Sequence, residues 1–373
     1  MKHRTLIIIV IFIVALVAVP ISTLAMPDRQ ISEVERRPLA QAMSYQEYLK
    51  SHYGAELADY FAYLETYLLD QFPFRDDLRV LTAMARVYGL RQRDNNMYYK
   101  VGEHLSKLDP VIRENAVQSA LSLFNEVCRT YFSGQGKHVF ALIPDKNAFM
   151  AESGGYPHVQ YDSFLEMVSS ELDAQTQILP LLEYLSLDDY YRTDPHWDQT
   201  KLLAVADALL QMLGVRNDAQ DEGYETHVHS SYFGTFAGQA ALPVKPDELA
   251  WLTNETLDQA IVYDAITKQT ASIYQTDKLE GTDPYDLFLG GAQALLSVKN
   301  LKQLNGRQLV VFRDSYGSSM VPLLIADYSE IVVVDLRYVS MSVAAGLVDI
   351  HADADVLLLY STSVLNSPGA FKQ

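Results

Sequence analysis

The chain has 373 residues, with 47 Asp and Glu against 29 Lys and Arg, for a formal net charge of −18. An acidic balance of this size argues against nucleic acid or an anionic surface as partner. The lone cysteine, Cys128, excludes an intrachain disulfide and any cysteine metal cluster.

Lys2, His3 and Arg4 precede an uncharged, mostly apolar stretch from Thr5 to Pro27. At about 1.5 Å of rise per residue it is long enough to cross a hydrocarbon core of roughly 30 Å, with the basic flank left in the cytoplasm. Residues 1–26 therefore read as a signal-anchor, and the rest of the chain as an extracytoplasmic part of a single-pass membrane protein. Thr23-Leu24-Ala25 offers small residues to a signal peptidase, so a cleaved, secreted form is the alternative. The remainder, about 345 residues, is enough for one large α/β domain with an appendage or for two ordinary domains.

Pro27 to Lys50 lacks sustained periodicity and reads as a linker. From Ser44 to Leu90 the pattern is helical and tyrosine-rich (Tyr53, Tyr60, Tyr63, Tyr67), broken at Phe72-Pro73-Phe74-Arg75, where proline ends one helix and begins another. Asn95 to Tyr99 predicts a turn into a short strand, and a further helix runs from about Asp109 to Tyr131. Cys128 falls within that helical pattern and reads as a small core hydrophobe. Residues 27–132 thus form a linker and helical N-terminal region ahead of an α/β domain at 133–373.

His138-Val139-Phe140-Ala141-Leu142-Ile143 is an apolar run stopped by Pro144 and followed by Asp145-Lys146. Similar runs are Leu309 to Phe312, Ile331 to Asp335 and Val356 to Tyr360, with a helix expected from Pro322 to Tyr328. Strand, helix, strand at this spacing predicts a mainly parallel sheet with right-handed crossovers. Ligands gather at the carboxyl ends of such strands, so Ser315, Asp335 and Ser361-Thr362-Ser363 are expected along one rim.

Two segments carry chemistry. Tyr191-Arg192-Thr193-Asp194-Pro195-His196-Trp197 sets a carboxylate two residues from an imidazole, and Ser315 follows a strand in Phe312-Arg313-Asp314-Ser315-Tyr316-Gly317. Asp194 orienting His196, with His196 as base to Ser315, is an acyl-transfer triad. Each piece also has a plainer reading. Ser315 equally suits the cap of a following helix, and Asp194-Pro195 suits a turn ahead of a helix over Gln199–Leu213. Phe233-Gly234-Thr235-Phe236 reads as a turn. Arg313 and Arg337 suit either a polar ligand or ion pairs with Asp314 and Asp335. His227 and His229 lack a carboxylate cluster, and no metal site is expected from them.

Five segments in order resemble one family: Glu33-Val34-Glu35-Arg36-Arg37-Pro38-Leu39, Gln71-Phe72-Pro73-Phe74-Arg75-Asp76, Ile143-Pro144-Asp145-Lys146, Tyr191–Trp197 and Phe312–Gly317. Together they resemble the DHHW proteins, relatives of the alginate O-acetylation proteins in the SGNH hydrolase-like superfamily. The resemblance implies a three-layer α/β/α domain, with Ser315 as nucleophile, His196 as base and Asp194 as its partner. It also implies a bacterial cell-envelope O-acetyltransferase or acetylesterase acting on an exported or cell-envelope polysaccharide, with no cofactor. A transferase of this kind needs a membrane-bound acyltransferase as acetyl donor. Trp197, Tyr316, Gln293 and Arg313 are its candidates for substrate or oxyanion contact, and Phe233–Phe236 for a second loop near the site.

Two positions depart from the family pattern. Pro195 replaces the first histidine of the Asp-His-His-Trp box, and Ala292, in Gly290-Gly291-Ala292, stands where an asparagine is expected. Loss of an oxyanion donor there costs on the order of 3 kcal/mol of transition-state stabilisation. The competing expectation is therefore a catalytically inactive scaffold or glycan-binding protein of an envelope polysaccharide assembly.

Overall fold

The computed structural model describes residues 5–6, 26–215 and 223–372. The expected membrane segment lies almost wholly outside the described residues. Among the described residues no helix is long and apolar enough to cross a membrane. The chain divides into two compact units, one running to Asn96 together with Ala237–Pro243, the other comprising Met97–Phe236 and the residues from Val244 onward.

The described residues of the first unit include the α-helices α1 (Tyr45–Ser51), α2 (Leu57–Asp70) and α3 (Arg75–Met84). Ser44 and Glu47 form a capping box that starts α1. Pro73 separates α2 from α3, and Phe74 takes a left-handed φ of 56° to reverse the chain. The expected linker is ordered instead. Ile31–Ser32 pairs with Arg37–Pro38, and the turn between them delivers Glu35 to Arg75, Arg79 and Arg37. Asp70 receives Arg37 at 2.6 Å and the Ala40 amide at 2.9 Å. Buried carboxylates need such partners, so the two arginine-bearing motifs of this region meet in one ion-pair knot.

The second unit begins with a hairpin, β1 (Tyr98–Val101) and β2 (His104–Lys107), followed by α4 (Glu114–Tyr131), β3 (His138–Ile143), α5 (Tyr161–Glu171), β4 (Thr176–Pro180) and α6 (Leu203–Met212). A second hairpin is formed by β5 (Glu225–Tyr232) and β6 (Asp247–Thr253). There follow β7 (Ile261–Asp264), β8 (Gln269–Ala271), β9 (Leu295–Lys299), β10 (Gln308–Arg313), α7 (Gly317–Leu324), β11 (Glu330–Val334), α8 (Met341–Leu347) and β12 (Asp355–Ser361).

Eight of these strands form one sheet in the order β8-β7-β9-β11-β10-β12-β3-β4. From β11 to β4 the pairing is parallel, while β9, β7 and β8 add an antiparallel edge. The sheet is mixed but mainly parallel. Its strands are apolar on both faces: Val139, Ala141, Val311 and Leu359 enter a core with α6 and α7, and Phe140, Leu142, Val310 and Leu358 enter another with α4, α5 and α8. Helices on both sides cover them, as a parallel sheet requires.

Two boundaries differ from expectation. The units divide at Asn96, upstream of residue 133, because Val117, Leu121 and Phe124 of α4 belong to the core against the sheet. The helix expected from Pro322 begins earlier, at Gly317, and carries Pro322 inside it. Chain reversal after β10 occurs within Asp314-Ser315-Tyr316, which lets the helix start at once. Cys128 is buried within α4, and that burial pushes its thiol up to about 12.

Candidate active site

Strands β11, β10 and β12 lie side by side and parallel, so their carboxyl ends share one rim. Ser315, Asp335 and Ser361 all stand there. Asp314 shapes the turn that presents Ser315: its Oδ1 accepts the Tyr316 amide at 3.1 Å, and its Oδ2 accepts the Ser361 amide and hydroxyl at 2.8 and 2.6 Å. Gly317 is required because a Cβ there would lie 2.6 Å from Arg313 Cβ.

The Tyr191–Trp197 segment is a tight loop closed by a bridge between Tyr190 and Trp197 and by the Tyr191 amide donating to His196 O at 3.0 Å. Within it, His196 Nδ1 lies 2.6 Å from Asp194 Oδ1, and His196 Nε2 lies 2.7 Å from Ser315 Oγ. With the carboxylate ionised, Nδ1 carries the proton and Nε2 is left to accept from the serine hydroxyl. The structure thus brings together the three residues expected to form a triad.

Several residues hold this geometry. Asp194 Oδ2 accepts the Thr235 amide at 2.8 Å, and Gly234 donates its amide to Thr193 Oγ1 at 2.9 Å. Phe233 and Gly234 therefore form a loop of the site, and the expected turn gives way to a short helix that begins at Thr235. Asp247, at the start of β6, accepts the Arg192 and Thr193 amides, the Thr193 hydroxyl at 2.6 Å and Arg192 Nε at 2.9 Å. Lys146 Nζ donates to the carbonyls of Tyr191, Arg192 and Asp194. The His196 ring stacks on Tyr285, with centroids 4.0 Å apart and planes 10° from parallel. Tyr285 and Asp247 carried no signal in the sequence. An Asp-Pro turn precedes Tyr285, and Asp247 acts on backbone groups more than fifty residues away.

The substrate and oxyanion candidates fare differently. Trp197 is fully buried, and its indole N–H is shared by Tyr316 O at 3.1 Å and Ser319 Oγ at 2.9 Å. Tyr316 is also buried and donates its hydroxyl to Pro195 O at 2.8 Å. Arg313 is inaccessible to solvent. It faces Asp335 at 3.6 Å and ties down the carbonyls of Gly291 and Gln293. These three brace the site and do not face a ligand, because wide side chains at the strand ends are consumed in packing the loops together. Gln293 is partly exposed and gives its side-chain amide to Gly290 O at 2.9 Å, while Ala292 is exposed. Arg337 pairs with Asp335 at 2.7 Å. His227 bonds Thr253 and stacks on Trp251, and no group of three metal-ligating side chains occurs among the described residues.

Residues 182–334, which contain Asp194, His196 and Ser315, match the family model described as DHHW protein. Over these residues the chain is similar to the DHHW family. A DHHW family protein from Eubacterium siraeum is 21% identical, with 74% of this chain and 94% of that one covered and a TM-score of 0.59. PatB1 of Bacillus cereus is 19% identical over 74% of this chain and 98% of its own, with a TM-score of 0.60, and has also been solved with a sulfonyl adduct. The O-acetyltransferase domain of Pseudomonas putida AlgJ overlaps more loosely, at 14% identity, 68% and 84% coverage and a TM-score of 0.41. No curated protein matches the sequence. The two likenesses with TM-scores of 0.59 and 0.60 agree with the fold class, a mixed α/β unit around a mainly parallel sheet.

Proposed function

We propose that this protein is an extracytoplasmic, serine-dependent O-acetyltransferase or acetylesterase acting on an exported or cell-envelope polysaccharide. The observation that carries the reading is the unbroken chain Asp194 Oδ1, His196 Nδ1 and Nε2, Ser315 Oγ, with contacts of 2.6 and 2.7 Å. As Ser315 Oγ attacks an acetyl carbonyl, His196 Nε2 takes its proton, and the Asp194 carboxylate stabilises the imidazolium. The proton passes to the departing oxygen, leaving acetyl-Ser315. A sugar hydroxyl or water, deprotonated in turn by His196, then takes the acetyl group and restores the serine.

Support for the tetrahedral oxyanion falls to the elbow itself. The Tyr316 amide is committed to Asp314 Oδ1 and the Gly317 amide to Asp314 O, which leaves the Ser315 amide as the elbow donor. The apolar run Thr5–Pro27 behind a basic flank supports an anchored, outward-facing protein. A transferase working there draws acetyl groups from a membrane-bound acyltransferase. A second reading, an inactive scaffold or glycan-binding protein, is favoured by Ala292, which offers no side-chain donor.

The deciding experiment exposes the full chain to a chromogenic acetyl ester and looks for acetyl-Ser315 by mass spectrometry. Turnover by the wild type, its loss in Ser315→Ala, and a gain in Ala292→Asn are the expected results. Equal inertness of wild type and Ser315→Ala on acetyl esters and acetylated glycans would leave the scaffold reading standing.

A further inference from the structure

Lys146 is a charged side chain that the acyl-transfer steps do not use, yet it is only 1% exposed. Its Nζ lies 2.8 Å from Tyr191 O, 3.1 Å from Arg192 O and 3.1 Å from Asp194 O. An ammonium has three N–H donors and no acceptor, and three carbonyls use all of them. A neutral amine has two donors and a lone pair, so one carbonyl would then face that lone pair. We infer that Lys146 is a positioning residue: its ammonium gathers the backbone of Tyr191, Arg192 and Asp194 around one point, holds Asp194 and His196 against Ser315, and releases them on deprotonation. The inference rests on the triad reading above.

The surroundings allow this change of state. Burial is the larger influence and pushes the Lys146 ammonium down to about 7, while the Asp194 and Asp247 carboxylates favour the charged form. The other groups close by are His104 on β2 and Arg192. His104 is pushed down to about 4, by burial first and by Lys146 second, and so adds no charge of its own near neutrality. Arg192 is paired with Asp247. The Phe236 ring, 5.4 Å from Nζ, gives the cation an apolar face to rest on. Asp145, next in the chain, has its carboxylate taken by the Asn147 amide and the Thr362 hydroxyl. Among the described residues no second cation stands ready to hold the three carbonyls when Lys146 loses its proton, because Arg192 is already engaged.

The test uses the full chain and phenylmethanesulfonyl fluoride, following sulfonylation of Ser315 by intact mass from mildly acidic to alkaline pH. The wild-type rate should decline on the alkaline side through a midpoint near neutrality. Lys146→Cys alkylated to aminoethylcysteine, in a Cys128→Ala background, restores an amine less basic than lysine and should move that midpoint to lower pH. Lys146→Met should lower the rate on the order of 10–100-fold and abolish the alkaline decline. Near-UV circular dichroism establishes that each variant is folded, and the aminoethylcysteine comparison decides the matter if the methionine variant is not. An unshifted midpoint in the aminoethylcysteine protein, or a wild-type rate in folded Lys146→Met, overturns the role of Lys146 while leaving the triad intact. A wild type whose Ser315 is never sulfonylated overturns both.

Discussion

A Cβ placed on Gly234 would lie 2.2 Å from the Cβ of Asp194 and 2.6 Å from its Oδ2. The neighbouring Thr235 amide bonds that same oxygen, so the loop cannot retreat without giving up its hold on the carboxylate. Gly234→Ala is expected to cost about 1–3 kcal/mol of stability through overpacking. By tilting Asp194 it should also lower turnover on the order of 100-fold. Urea unfolding and ester kinetics on the same preparation measure the two effects, and wild-type turnover in the variant would refute this role for the loop.

Substitution within the triad should be severe and non-additive. Asp194→Asn replaces the acceptor that fixes the His196 tautomer, for an expected loss of roughly 10,000-fold in kcat. Ser315→Ala should reduce turnover to the level of the reagent alone, and the double variant should be no worse than Ser315→Ala. Initial rates on an acetyl ester check this, and additive losses would mean that the residues act independently.

Tyr285 separates packing from hydrogen bonding. Tyr285→Phe keeps the stack on His196 but loses the contact of 2.9 Å with Ser319 Oγ, a change worth about 1 kcal/mol. Tyr285→Ala removes the ring and should cost about 3–5 kcal/mol while loosening the imidazole. Thermal unfolding ranks the two, and equal losses would show that the ring face contributes nothing.

Stability should fall with acidification through His104. Its imidazole is lowered from 6.5 to about 4, chiefly by burial, and its Nδ1 is buried without a hydrogen-bond partner among the described residues. Between those values the unfolded chain binds a proton that the native state refuses, so the native state loses ground as pH drops from about 6.5 towards 4. Partial exposure to solvent holds the effect to the order of 1–2 kcal/mol. His104→Phe should flatten that part of the stability profile, as read from urea midpoints against pH.

The meeting of Asp194, His196 and Ser315 was legible in the sequence because a carboxylate–imidazole–hydroxyl triad admits few residue types. The strands at 138–143, 308–313 and 355–361 were legible because burial on both faces demands uninterrupted apolar runs. Lys146 stood out only as part of a motif. Its role depends on three backbone carbonyls, and carbonyls leave no trace in residue identity. Asp247 was hidden for the same reason. Trp197, Tyr316 and Arg313 point inward rather than towards a substrate, since their width is needed to lock loops that arrive from distant parts of the chain. The segment from Pro27 looks like a linker in the sequence because the ion pairs of Glu35 and Asp70 have no periodicity to betray them.

The buried indole of Trp197 is rooted in the His196 loop and bonded to the turn and helix that follow Ser315. The chain has only two tryptophans. Much of its ultraviolet emission therefore originates where the His196 loop meets the Ser315 turn, and a loosening of that junction should redden and dim the signal before the sheet gives way. The protein carries its own optical gauge of whether its triad is assembled.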